Sequence, residues 1–188
     1  MLVSHQREKL INAIVYFAEN TKYCGKIKLF KLLYLLDFQH FRQTGRSVTG
    51  GDYRAWKMGP VPFGLVQEWD ALEPDLAEAI EIKPEKVIDY TRETVVVKQR
   101  FDDSHFSKRE LSIMQSLVQR FHDDYSQSMV NVTHAERGPW AKIWDNGQGN
   151  DERIPYSLSV TDDDPHHAEI LHAAQEFGGL LAAQQRVH

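Results

Sequence analysis

The sequence predicts a mainly α-helical domain packed around one buried central helix, with a small antiparallel β patch. Three observations lead there. Residues 26–43 are apolar over most of a helical circumference, the pattern of a helix at the centre of a core. Ser107-Lys108-Arg109-Glu110 is a capping box ahead of an apolar-periodic run, which marks a second long helix. Strand-like residues are confined to 53–57 and 78–100.

Taken in order, residues 4–20 form an amphipathic helix. Leu10, Ile14 and Phe17 make its stripe, Ile11, Val15 and Ala18 widen it, and Ser4 serves as N-cap. Gly25 closes the following turn. Wound at about 100° per residue, the segment 26–43 leaves one broad polar face, carrying Lys28, Lys31, Gln39 and Arg42. Asp37 and His40 intrude on the apolar side and therefore require partners. Thr44-Gly45-Arg46 breaks this helix, and 47–51 is a polar turn. Tyr53–Lys57 reads as a short strand, and Gly59-Pro60-Val61-Pro62 as a stiff corner. Pro62 opens a helix over 62–73 that faces inward through Leu65, Val66, Trp69 and Leu72.

Ile80 and Ile82 alternate with glutamates, and Val95, Val96 and Val97 are β-branched. Together they suggest a two-stranded patch, or a three-stranded one that adds 53–57. The capped helix runs over 108–124, with Leu111, Met114, Leu117, Val118 and Phe121 inside. A short helix covers 126–136, and Pro139 opens a helical turn carrying Trp140 and Trp144. Residues 145–164 read as a loop rich in Gly, Asn and Asp. The last helix, 165–184, buries Ile170, Leu171, Ala174 and Phe177. This divides the chain into a domain over 1–148 and an acidic loop with a terminal helix over 149–188, packed on the domain or forming a tail.

The composition narrows the function. With 188 residues, 41% of them hydrophobic, the chain can bury one core without metals or disulfides. Its formal net charge of −5 disfavours nucleic acid and anionic membranes as partners. The single cysteine, Cys24, permits no internal disulfide and no cysteine zinc cluster, and fits the reducing cytoplasm. The N-terminal residues lack a secretory pattern, and no apolar run is long enough to span a membrane.

Chemical signatures are sparse. No phosphate-cradling glycine loop and no H-E-x-x-H motif occurs. His134-Ala135-Glu136 matches half of a zinc-deaminase signature, but the chain lacks the cysteines for the other half. Residues 145–152 resemble a calcium loop in composition and not in ligand spacing. His166, His167, Glu169 and His172 read as surface residues rather than metal ligands, and Cys24 with His40 makes a poor nucleophile–base pair. Neither a cofactor nor a metal is expected. The first two helices loosely resemble a helix-turn-helix, with Lys26, Lys28 and Lys31 opening the second, but a recognition helix should not be apolar almost all round.

One block is specific. It runs from Lys28-Leu29-Phe30-Lys31-Leu32-Leu33-Tyr34 through Asp37 and His40 to Gly45-Arg46-Ser47-Val48-Thr49-Gly50. It continues as Tyr53-Arg54-Ala55-Trp56-Lys57-Met58-Gly59-Pro60-Val61-Pro62. This closely resembles the Panacea domain family, which includes SocA-like antitoxins and phage-associated GepA-like proteins. Thr133-His134-Ala135-Glu136, followed by Trp140, resembles the family's second motif. The resemblance implies an antitoxin that neutralises a cognate toxin by direct binding, in some members as an adaptor to a protease, with no catalytic residues. It makes Asp37, His40, Arg46, Ser47, Tyr53, Arg54, Trp56, Gly59, Pro60, His134 and Trp140 the motif or partner-binding candidates. The alternatives are a DNA-binding regulator of its own operon and an enzyme using His134 and Glu136.

Overall fold

Helix α2 (Lys26–Thr44) is the axis of the molecule in this computed structural model, which describes residues 5–134 and 138–185. It touches α1 (Gln6–Asn20), α5 (Lys108–Phe121), α6 (Ser126–Thr133) and the last helix (His167–Gln185), together with strands from both small sheets. Leu29, Leu32, Leu33 and Leu36 are wholly buried against Ile14, Val15 and Phe17 of α1 and Met114 and Leu117 of α5. Gly45 ends α2 in the left-handed conformation, φ 71°, and its amide donates to Phe41 O. The fold is mainly helical with small β patches. Among the described residues no helix is long and apolar enough to cross a membrane.

The β structure is two separate hairpins rather than one shared patch. β1 (Tyr53–Trp56) pairs antiparallel with β2 (Gly59–Pro62), so the expected corner is a strand. Its prolines occupy alternate positions. Phe63 N donates to Asp52 O, and the register places Pro60 and Pro62 opposite Ala55 and Tyr53. The ring nitrogens thus lie on the outer edge of the hairpin, where no donor is needed. β3 (Ile80–Val87) and β4 (Tyr90–Val97) form the second hairpin, joined to the helices by a Gly25–Thr94 bridge.

Two other expectations change. The predicted helix over 62–73 is shorter, α3 (Phe63–Glu68), and is followed by α4 (Pro74–Ala79), which was not foreseen. The segment 145–164 is not free loop. Ile154 N donates to Tyr53 O, Asp151 N to Ala55 O, and Ala55 N to Glu152 O, so 151–154 lines the second edge of β1. Ile154 is buried with Tyr34, Phe38 and Tyr53, and Val160 with Phe41 and Ile170. The capping box at Ser107 is present, with Ser107 Oγ accepting from Glu110 N and Glu110 Oε2 accepting from Ser107 N. The N-cap expected at Ser4 lies outside the described residues.

Candidate functional site

The motif residues converge on α2 from two directions. Asp37 is completely buried and accepts from Val48 N and Thr49 N, both at 2.7 Å, from the Thr49 hydroxyl, and from Tyr53 OH at 2.7 Å. Burial pushes the Asp37 carboxyl up, and these four donors offset that only in part. One carboxylate thereby fixes both the polar turn and the first strand. His40 Nδ1 donates to Arg46 O at 2.7 Å, and burial holds the imidazole below its usual range.

Lys28 and Lys31 depart from the polar face expected of them. Both are buried, with 0% and 1% exposure. The Lys28 ammonium donates to Lys22 O at 2.7 Å, Asp124 O at 2.8 Å and His122 O at 3.2 Å. It thus closes the end of α5 onto the turn before α2. Among the described residues the Lys31 ammonium has a single acceptor, Pro60 O at 2.9 Å, and burial pushes it down to about 7. The long methylene stem of each lysine follows the apolar helix while its tip reaches backbone oxygen. The DNA-binding alternative rested on Lys26, Lys28 and Lys31, and two of those three are turned inward.

Gly59 belongs to the Lys31 site. It has φ +99°, and a Cβ there would lie 2.9 Å from Lys31 Nζ and 3.0 Å from Thr133 Oγ1. A side chain would meet both strain and contact. His134 stacks flat on Trp140 at 3.7 Å, and Trp140 Nε1 donates to Trp56 O at 3.0 Å. His134 is held below its usual range by burial and then by the Lys31 charge. Its Nε2 is buried without a protein partner among the described residues. Glu136 lies outside the described residues.

The candidates thus divide. Asp37, His40, Tyr53, Gly59, Pro60 and Trp140 are interior. Ser47 is half-buried beside the Tyr156 hydroxyl. Arg46 is exposed and lies over the Phe177 ring at 4.6 Å. Arg54 binds Asp52 and Asp151 O, and Trp56 Nε1 donates to Asp151 Oδ1 at 2.8 Å. Cys24 and His40 sit at opposite ends of α2, roughly 24 Å apart along the axis, and burial pushes the Cys24 thiol up to about 11. His166 and Glu169 form an exposed pair, and no metal-ligating cluster occurs among the described residues.

One surface escaped the sequence reading. Tyr23, in the left-handed region at φ 57°, stacks on Tyr125 at 4.4 Å, and the Arg92 guanidinium lies 5.4 Å from the Tyr23 ring. Tyr125 is 56% exposed and Tyr90 54%, while Ile88 at the tip of the β3–β4 hairpin is 93% exposed. These residues come from three separate segments, so no local pattern joins them.

No curated protein and no solved structure matches the chain. The family model described as antitoxin SocA-like, Panacea domain, matches residues 29–141, which is more than half of the chain, and the chain belongs to that family.

Proposed function

We propose that this chain is the antitoxin of a toxin–antitoxin pair and neutralises its toxin in the cytoplasm by direct, non-catalytic binding. The family match over residues 29–141 carries this reading. The interior placement of most motif side chains, Asp37, His40 and Tyr53 among them, supports a further step. Groups that lock α2 to its turn are not free to meet a partner, so the binding surface is sought where large side chains are exposed. Tyr23, Tyr90 and Tyr125 are exposed, are of a residue type that anchors protein interfaces, and adjoin one another beside the Arg92 guanidinium, which is itself mostly covered and paired with Glu85.

The test is co-expression with the product of the neighbouring reading frame. Growth should stop with the neighbour alone and resume with both proteins. A harmless neighbour, or one that stays toxic beside this chain, overturns the reading. A Tyr23→Ala, Tyr125→Ala double variant should weaken binding to that product by about 2 kcal/mol or more while melting close to the parent. Unchanged affinity in a pull-down titration would move the interface elsewhere and leave the neutralisation result intact.

A further inference from the structure

A cleft of about 700 Å³ opens where the N-terminal ends of α1 and α5 meet the C-terminal end of α2. Nearly all the charged and titratable groups lining it are basic. His5 and Lys9 come from the start of the chain, His40 and Arg46 from α2 and its turn, and His105 and Arg109 from the approach to α5. Glu110, the one carboxylate among the described residues of the lining, already accepts from Lys9 Nζ at 2.7 Å and from the Ser107 amide. Burial raises Glu110, but the Lys9 ammonium and the amide outweigh this and keep it ionised. Glu8 lies outside the lining and contacts His5 at 3.4 Å. Arg46 and Arg109 have no ion pair among the described residues. The cleft therefore holds two uncompensated guanidiniums and three imidazoles. The positive end of the α5 dipole adds to them.

The walls also carry flat, weakly polar surface. The His5 and His105 rings stack at 4.2 Å, and Phe106 and Phe177 line the same space. A chain of net charge −5 that concentrates unpaired basic groups in one concavity has a local field suited to an oxyanion. Guanidinium forks match phosphate geometry, and several converging cations suit a multiply charged group better than a single carboxylate. The volume falls within the range of small-molecule sites.

We propose that this cleft binds a phosphate-bearing anion, with Arg46 and Arg109 as its principal ligands. The source is either free inorganic phosphate or a nucleoside phosphate whose ring uses the aromatic walls. The site is independent of the antitoxin reading, because its test measures ligand binding alone.

Calorimetric titration of the full chain at low salt, with inorganic phosphate and separately with adenosine monophosphate, decides the matter. Binding should weaken as salt is raised, because its main contacts are between unlike charges. Arg46→Ala and Arg109→Ala should each weaken it by about tenfold, equivalent to about 1.4 kcal/mol, and circular dichroism should show both variants folded. Equal affinity for the two ligands assigns the site to phosphate itself. Tighter binding of the nucleotide, lost in Phe177→Ala, assigns it to a nucleoside phosphate. The proposal is overturned if neither ligand binds, if the folded arginine variants bind as the parent does, or if only a polyglutamate peptide binds.

Discussion

Asp37 and Lys31 lie less than two turns apart on the same helix, and both are removed from water, yet the fold surrounds them differently. Asp37 meets four donors, two of them backbone amides of the turn it holds. Among the described residues Lys31 meets one carbonyl, Pro60 O, and its neighbour His134 offers no compensating negative charge. The first site determines its surroundings several times over. The second has fewer partners among the described residues, and burial weakens the hold of its amine on the proton. Lys28 falls between them, with three carbonyls around one ammonium. Sharing a family motif, therefore, does not mean sharing an energetic role.

The sharpest way to break the comparison is Asp37→Ala. It leaves Val48 N, Thr49 N, the Thr49 hydroxyl and Tyr53 OH without their acceptor, and should cost about 3–5 kcal/mol or prevent folding. Urea denaturation followed by circular dichroism measures it, and a loss below about 1 kcal/mol would refute the role given to Asp37. Lys28→Met comes next. It strips the donor from three buried or half-buried carbonyls, and a loss of about 2–3 kcal/mol is expected by the same measurement.

Lys31→Met should have the smallest effect, within about 1 kcal/mol near neutrality, because a methionine fills the same channel without a charge to desolvate. Its pH signature is more telling. The folded Lys31 is depressed to about 7 from 10.5, so between those values the unfolded chain binds a proton that the folded chain has released. Stability should therefore rise with pH across that window, while below it the full cost of the buried charge is present. Subtracting the Lys31→Met profile from the parent profile should isolate this rise. Parallel profiles would show that Lys31 keeps its proton in the folded state.

Periodicity revealed the backbone of this design and little of its polar interior. The apolar run of α2 and the Ser107 box were legible because each is local and repeats at the helical period. Lys28 and Lys31 were misread because residue type signals exposure. What buries them is a set of carbonyls at His122, Asp124 and Pro60, distant in the chain and invisible to a window of eighteen residues or so. Helix α4 escaped because six residues cannot display a period. Strand β2 escaped because Pro60 and Pro62 read as breakers, which holds for a central strand but not for the outer edge of a hairpin. The need for partners at Asp37 and His40 was visible in the helix itself. Which surface faces a toxin was not, since Tyr23, Arg92 and Tyr125 meet only in three dimensions.

The clasp of residues 151–154 on β1 bears on how the chain is made. Ala55 leaves the ribosome long before Asp151 and Glu152, its partners on that edge. At typical bacterial and eukaryotic elongation rates the interval is about 5 to 20 s. Throughout it, β1 presents one set of unpaired backbone groups beside Tyr53, with β2 covering only the other side. Newly synthesised copies on neighbouring ribosomes would display the same edge at the same time, so the period of greatest risk for mispairing is set by translation speed rather than by the stability of the finished fold.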